Sequence, residues 1–438
     1  MLAYYFQLGL RSLRRNSALT ALMIVTIGFG VAASMTTYSV LRAMSGDPIP
    51  EKSAQLFVPQ IDAQGPDARR QDDEPPYAMT YIDAMALVHA HRAPLESPLY
   101  PIAPTVFPDD STQKARSLIG HAVYAQFFPM ADVPFRYGGA WSGADDERHA
   151  AVAVISASLN QRLFGGTNSI GKDIRLDNHA YRVVGVLDAA WSPQPKFYDL
   201  ANSNAFGAPD QVFLPFATAI DQQMATTGGF GCGRTLPAPG FAGTLSSDCV
   251  WISYLAELDT PSQVRAYRDY LDGYARAQQK AGRFGWAPNN RLRDLPAWSL
   301  VMQVVPPEVK LSVMVALFLL LVCMVNAVGL LLAKFLRRSG EIGVRRALGA
   351  SRGAIARQFG MESATIGLAG GLLGLLMTWL GVSLIRSALP IQIAVLTHVD
   401  LPLLWRSVLL AIIATVLAGL YPIWRAAHVR PALQLKTD

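Results

Sequence analysis

The sequence predicts a membrane protein with four transmembrane α-helices and a large α+β domain inserted between the first and second of them. Three observations lead to this fold class. Four long stretches lack charged side chains, acidic and basic residues are unevenly distributed, and strand and helix patterns alternate after the first stretch. Charged residues make up only 16% of the chain, against about 25% in an ordinary soluble domain.

The four uncharged stretches are long enough to cross a membrane as helices. They contain 26, 23, 23 and 18 residues and lie between Arg15 and Arg42, Lys310 and Lys334, Glu362 and Arg386, and Arg406 and Arg425. A helix needs about 20 apolar residues to span the hydrocarbon core. We therefore predict transmembrane helices over residues 17–42, 308–335, 359–386 and 403–425, with a short outer loop over 387–402. The first stretch exceeds the roughly 7–15 residues of a signal peptide, so we interpret it as a retained anchor.

The distribution of charge predicts the orientation of these helices. Residues 43–309 contain 21 Lys and Arg against 28 Asp and Glu, whereas the rest of the chain contains 17 against 4. Basic residues near membrane ends remain in the cytoplasm. Both termini are therefore expected in the cytoplasm and the domain over 43–307 outside it. The pI of about 9.2 then reflects membrane topology and does not indicate nucleic-acid binding.

Three cytoplasmic segments are expected. Residues 1–16 mix aromatic, aliphatic and arginine side chains and predict an amphipathic helix in the membrane interface, and residues 426–438 predict a short tail. Residues 336–358 predict a basic amphipathic helix. In this segment Glu341 is spaced to pair with Arg345, four residues later. Ser351 is placed to cap a second short helix. The basic amphipathic helix either binds anionic headgroups or docks a cytoplasmic partner, and the residue pattern leaves both alternatives open.

The domain over 43–307 is predicted to be α+β, and its early change in composition suggests two subdomains. Strand patterns occupy residues 151–155, 173–176, 181–187 and 250–257. Thr80, Ser156 and Thr260 are predicted to cap helices. These helices are expected to end near residues 91, 164 and 281.

The segment from Gly166 to Asp173 imitates a nucleotide-binding loop but lacks its chemistry. It follows the G-x-x-x-x-G-K spacing, yet Asp173 occupies the Ser/Thr position that would hold Mg²⁺, and a strand follows where a helix is needed. Neither metal-ligand spacing nor a catalytic motif such as G-x-S-x-G or H-E-x-x-H occurs elsewhere. We therefore predict no catalytic site, metal or cofactor in this chain.

Two sets of small residues leave alternatives open. Gly367, Gly370, Gly371 and Gly374 form overlapping G-x-x-x-G spacings in the third predicted helix, which favour close helix packing either within the chain or between subunits. Cys232 and Cys249 lie 17 positions apart and either form a disulfide in an oxidising compartment or remain two buried thiols.

Three segments resemble the MacB/FtsX-type ABC transporter permeases. Residues 338–350, RSGEIGVRRALGA, resemble the E-I-G-x-R-R-A-x-G-A signature of the family. Residues 419–427, GLYPIWRAA, together with Pro431, resemble the end of its last span. From Ile155 onward, ISASLNQRLFGG, SIGK and YRVVGVL resemble its periplasmic core domain.

The resemblance implies a permease subunit in a bacterial inner membrane that is driven mechanically by a separate cytoplasmic ATPase. The basic helix would then be the coupling helix, and its matching residues are Glu341, Ile342, Gly343, Arg345, Arg346, Leu348, Gly349 and Ala350. The implied partners are two ATPase copies that bind ATP and Mg²⁺, a second permease subunit as homo- or heterodimer, and often a periplasmic adaptor and outer-membrane channel. The expected cargo is a peptide, an antibiotic or a lipid-linked molecule. The alternative is a signalling complex that regulates a periplasmic cell-wall hydrolase.

Overall fold

A computed structural model describes residues 17–69, 73–108, 114–388 and 401–427. Within these, the chain forms two compact units: a helical unit from the described residues up to 45 and from 305 onward, and an α+β unit from those between 46 and 304. The predicted interfacial helix over 1–16 lies outside the described residues. Most of the predicted loop over 387–402 and of the tail over 426–438 lies outside them as well.

The helices are numbered in chain order among the described residues. They are α1 Ser17–Met44, α2 Tyr81–Ala90, α3 Phe127–Met130, α4 Gly143–Glu147, α5 Ala157–Phe164, α6 Phe216–Asp221, α7 Gly240–Leu245, α8 Pro261–Lys280, α9 Leu295–Val301, α10 Pro307–Leu336, α11 Ser339–Ala347, α12 Arg352–Ala388 and α13 Leu401–Ala427. The helices α1, α10, α12 and α13 are long and apolar enough to cross a membrane.

The strands of the α+β unit form one continuous sheet. They are β1 Leu56–Gln60, β2 Met79–Thr80, β3 Leu95–Ile102, β4 Thr105–Phe107, β5 Arg116–Ser117, β6 Gly120–Val123, β7 Phe135–Gly138, β8 Val152–Ile155, β9 Asp173–Leu176, β10 His179–Leu187, β11 Val212–Pro215, β12 Val250–Glu257 and β13 Arg291–Asp294. The order is β13-β1-β12-β3-β6-β11-β8-β10-β9-β4-β5, with β2 beside β12 and β7 beside β10. The pairs β8–β10 and β6–β11 are parallel, and the other pairs are antiparallel. The division of this unit into two subdomains stays a prediction.

The local predictions for the α+β unit agree with the structure where capping chemistry was the signal. The side chains of Thr80, Ser156 and Thr260 each accept a hydrogen bond from the backbone N–H three residues later, and α2, α5 and α8 begin directly after them. The helix α5 ends on Gly165 at φ +66°, a conformation that glycine adopts without steric cost. The segment from Gly166 to Asp173 leads into β9, so no helix N-terminus is present there for a phosphate group.

The main correction concerns the segment over 336–358. Ser351 caps a helix as expected, because its Oγ accepts from the N–H of Ala354 at 3.2 Å. That helix is not short, however: it is α12, which runs without interruption from Arg352 through the third apolar stretch to Ala388. The sequence between the cap and the apolar stretch contains no proline, and helix propagation is favourable once a turn has formed.

Candidate functional site

The helix α11 contains most of the family signature and is bounded at its C-terminal end by a glycine turn. Gly349 has φ +97°, and the backbone N–H of Ala350 donates to the carbonyl of Arg345 at 3.0 Å. This arrangement is typical of a Schellman-type helix end, where a left-handed residue is needed. The turn at Gly349 separates α11 from α12 and sets the direction in which α12 leaves.

One face of α11 is buried against the helical unit. Ile342 is 4% exposed and belongs to a core cluster with Phe335 of α10 and with Ile355 and Phe359 of α12. The rings of Phe335 and Phe359 lie 4.2 Å apart between centroids. The space between α11 and the start of α12 is only about 10 Å³, enough for a single water at most. The helix is therefore tightly packed on its neighbours.

The opposite face of α11 is exposed and partly apolar. Val344 is 52% exposed and Leu348 is 83% exposed, and the side chain of Arg345 is 46% exposed. Nothing is described for the side chain of Arg346. The signature residues therefore divide into two groups, one that fixes the helix to the unit and one that is available for contact with a partner.

A series of charged side chains begins on α11 and continues into the core of the helical unit. Arg345 contacts Glu341 at 2.8 Å and Gln358 of α12 at 3.0 Å. Arg338 lies 3.7 Å from Glu341 and 3.1 Å from Glu362 of α12. The structure thus confirms the pairing predicted between Glu341 and Arg345, and it extends it inward through Arg338.

The inner end of this series is a buried ion pair that sequence reasoning missed. Lys334 of α10 contacts Glu362 at 2.8 Å, and their side chains are 1% and 3% exposed. The ammonium of Lys334 also donates to the hydroxyl of Thr20 on α1 at 3.1 Å. The sequence did contain a signal, because these two residues are opposite charges at the ends of neighbouring apolar stretches. Only the helix packing, however, brings them together.

The four predicted packing glycines contact other helices of the same chain. A Cβ built on Gly374 would lie 3.1 Å from the carbonyl oxygen of Gly28 on α1, and one on Gly370 would lie 3.1 Å from Ile27. Gly367 and Gly371 face the opposite way, toward Thr415 and Ala411 of α13. The glycines therefore let α12 approach α1 on one side and α13 on the other, which corresponds to packing within the chain.

In the α+β unit, Cys232 and Cys249 are joined in a disulfide. A groove of about 270 Å³ lies beside it and is lined in part by Ile82, Arg234, Asp248 and Arg283. Both arginines already have carboxylate neighbours, since Arg234 lies 3.9 Å from Asp248 and Arg283 contacts Asp83 at 2.6 Å. This pairing leaves the groove without an excess charge that would select a ligand.

The α+β unit also contains a buried charged cluster that was not predicted. His121 of β6 hydrogen-bonds Asp199 at 2.8 Å, and its other ring nitrogen lies 2.9 Å from Asp210, which contacts Lys196 at 3.0 Å. Burial alone would lower the pKa of the His121 imidazole, but the charges of Asp210 and Asp199 outweigh it and raise that pKa to about 9. The cluster ties the loop that contains Lys196 and Asp199 to the sheet. Within the described residues, no group of three or more His, Cys, Asp or Glu is arranged to hold a metal ion.

The described residues thus contain membrane-length helices, an α+β unit between the first two of them in the sequence, and a short basic helix before the third. Residues 20–269 match the MacB-like periplasmic core domain, and residues 313–431 match the FtsX-like permease C-terminal domain. The chain therefore belongs to the MacB/FtsX-type family of ABC transporter permeases. Its α+β unit corresponds to the periplasmic core domain of that family.

Curated relatives are identical to this chain at about a quarter of the aligned positions. The macrolide export ATP-binding/permease protein MacB of Syntrophobacter fumaroxidans is 24% identical over 98% of this chain and 63% of its own length. The pyoverdine export ATP-binding/permease protein PvdT of Pseudomonas syringae pv. syringae is 24% identical over 70% of this chain and 40% of its own length. This chain thus spans less than two thirds of either relative.

The solved structures that it resembles include the periplasmic region of MacB from Actinobacillus actinomycetemcomitans. The alignment has a TM-score of 0.37 and 11% identity, and it covers 58% of this chain and 95% of that one.

Proposed function

We propose that this chain is the membrane subunit of a mechanotransmission-type ABC transporter, in which α11 docks into a cytoplasmic ATPase. The observation that supports the proposal best is the two-sided character of α11. Ile342 is buried in the helical unit while Leu348, an apolar side chain, is 83% exposed at the end of a basic helix. An apolar side chain exposed on a helix whose other face is fixed can enter a hydrophobic groove on a partner, as in other helix-in-groove contacts.

The proposed arrangement has both termini and α11 in the cytoplasm and the α+β unit in the periplasm of a bacterial inner membrane. The distribution of basic residues supports this orientation. Two ATPase copies would bind ATP and Mg²⁺, and this chain and a second permease subunit would each present one α11. Closure of the ATPases would displace α11, and α1 and α10, which lead directly into the α+β unit, would pass the movement outward.

Export is the output we propose, because both relatives described above are named as export proteins. Cargo would be handled on the outer side of the membrane, together with a periplasmic adaptor and an outer-membrane channel. The four apolar helices match this role better than solute conduction, since their central stretches contain no charged residues to line a path.

The first experiment compares Leu348→Asp with the control Leu300→Asp. Leu300 is also strongly exposed, at 71%, but it lies in the α+β unit. The tagged full chain is purified from native membranes in mild detergent, and the co-purifying proteins are identified by mass spectrometry. We expect an ATPase to accompany the unmodified chain and the control variant, and to be lost from Leu348→Asp because burying a carboxylate in an apolar pocket is costly.

The same purification separates the outcomes. An adaptor beside the ATPase supports export, whereas a cell-wall hydrolase in its place supports the signalling alternative. If Leu348→Asp retains the ATPase at the unmodified level, the docking role of α11 is wrong. Recovery of the chain without any ATPase, under conditions that preserve other membrane complexes, contradicts the proposed function as a whole.

A further inference from the structure

The charged series from α11 to α1 connects an exposed surface to the core of the helical unit. Its members alternate in sign: Arg345, Glu341, Arg338, Glu362 and Lys334. It ends at the hydroxyl of Thr20. Exposure falls along the series, from 46% for the side chain of Arg345 to 1% for that of Lys334. Four helices of the unit therefore meet in one polar path, namely α11, α12, α10 and α1.

The inner pair has a physical property that the outer contacts lack. An ion pair between exposed side chains contributes little free energy and exchanges readily with water. A buried pair is different, because separating its partners leaves two charges without solvation. Lys334 and Glu362 therefore resist any movement that draws α10 and α12 apart at this level. The contacts of Arg345 should therefore break easily, whereas those of Lys334 should resist separation.

Arg338 lies between the exposed contacts of the series and its buried ion pair. It follows the end of α10, precedes α11 and contacts both Glu341 of α11 and Glu362 of α12. A shift of α11 changes the geometry of Arg338, and through Glu362 it changes the environment of Lys334. Ile342 of α11 packs in one core cluster with Ile355 and Phe359 of α12. A shift of α11 should therefore push or pull on the start of α12.

Stability alone does not account for charges at these positions. Replacing a buried ion pair by apolar side chains of similar volume is often neutral or stabilising, and the neighbours of this pair include apolar residues such as Phe335 and Phe359. Apolar contacts depend little on which atoms meet. The contacts of Lys334 with Glu362 and Thr20, in contrast, join particular atoms of three helices and weaken when those atoms separate. The pair is therefore better explained by a role in keeping these helices in register during movement.

We propose that Lys334, Glu362 and Arg338 are positioning residues that pass a displacement of α11 to α1, α10 and α12. This inference rests on the proposed function, because it assumes that a partner moves α11. It assigns the three residues a role in transmission that is separate from contact with the ATPase, which belongs to the exposed face around Leu348. Without the ion pair, a displacement of α11 should no longer reach α1 and α10, while the ATPase should remain bound to α11.

The test uses the double variant Lys334→Met/Glu362→Met, in which both buried charges are removed together and Arg338 keeps Glu341. The control is Lys310→Met, which removes an exposed lysine from the other end of α10. The full complex is purified with its co-purifying ATPase and reconstituted in lipid nanodiscs. Hydrogen exchange of α11, α1 and α10 is then compared without nucleotide and after trapping with ATP and vanadate, alongside the thermal unfolding midpoint.

In the unmodified complex and the Lys310→Met control, we expect trapping to change exchange in α11, α1 and α10. In the double variant, we expect α11 to respond as before and the response of α1 and α10 to fall roughly tenfold, within the usual range of coupling between sites. The unfolding midpoint should not decrease. A role in stability alone predicts the opposite pattern, a changed midpoint with an unchanged response.

Two outcomes overturn the inference and are distinguishable. If α1 and α10 respond in the double variant as they do in the unmodified complex, the ion pair does not transmit movement, although the proposed function stands. If α11 itself does not respond to trapping in the unmodified complex, the proposed function fails, and the inference fails with it. The single variant Arg338→Met, which leaves Lys334 paired with Glu362, provides a second measurement if the double variant does not fold, and the response of α1 and α10 should fall in it as well.

Discussion

In the α+β unit, the four ionisable side chains of the cluster around His121 are all less than 5% exposed, and each holds a loop or strand of that unit in place. In the helical unit, the buried pair Lys334–Glu362 continues outward through Arg338 to the exposed Arg345. The first cluster is closed and the second is open to a surface. Buried charges therefore have two different settings in one chain: the closed cluster holds the α+β unit together, and the open series connects the exposed surface of α11 with the core of the helical unit.

The largest effect is expected from opening the closed cluster. Asp210→Ala leaves His121 and Lys196 buried without one of their carboxylates, and removing one partner of a buried pair costs about 3–5 kcal/mol. The matched control is Asp221→Ala, whose partner is His149 in an ion pair that is about half exposed on both sides. That change should cost less than about 1 kcal/mol.

Chemical unfolding of the full chain in detergent, followed by near-ultraviolet circular dichroism of the α+β unit, measures both variants. Equal losses of unfolding free energy for the two variants would contradict the description of the His121 cluster as closed.

The pH dependence of stability should identify the closed cluster a second way. The pKa of His121 is raised to about 9 in the folded chain, above the ordinary value of about 6.5. Its stabilising contribution is therefore complete below pH 6.5 and is lost as the pH rises through 9, by roughly 3 kcal/mol in total.

Unfolding of the full chain at several pH values between 6.5 and 10 measures this loss. His121→Asn should be less stable below pH 6.5 and should lack this component of the pH dependence. A parallel decline in the variant and the unmodified chain would show that another group is responsible.

The smallest effect on stability is expected at the exposed end of the open series. Glu341→Ala/Arg345→Ala removes a pair four residues apart on α11, and such pairs contribute about 0.3–0.5 kcal/mol. The unfolding midpoint should therefore change little, while stimulation of the co-purified ATPase should be lost if α11 is the coupling helix.

The measurement is the ATPase rate of the reconstituted complex, with Lys310→Met again as the control. A large loss of stability with normal ATPase stimulation would show that this pair stabilises the fold and does not take part in coupling.

Much of the site was predictable because its signals are local. The pairing of Glu341 with Arg345 and the capping serine at 351 both follow from spacing and backbone preference. The pairing of Glu341 with Arg345 is a contact within one helix, so the sequence contains all the information about it. The same reasoning located the starts of α2, α5 and α8, where a capping side chain is followed by its own helix.

Other features were predictable only as alternatives. G-x-x-x-G spacings indicate close packing but do not name the partner helix, and two cysteines 17 residues apart are compatible with a bond or with two thiols. The structure brings the glycines against α1 and α13 and joins the cysteines. The length of α12 was missed for a different reason. The boundary between its polar start and its apolar stretch was interpreted as a break, whereas the backbone continues through it.

The sequence by itself determined the membrane-length helices, the family and the local caps, because apolar length, charge distribution and backbone preferences act over a few residues. Only the tertiary structure decided which charges far apart in the sequence are partners. His121 and Asp210 are 89 positions apart, and Lys334 and Thr20 are 314 apart. Electrostatic energy depends on distance in space and on burial. Both quantities are set only when the helices and the sheet pack.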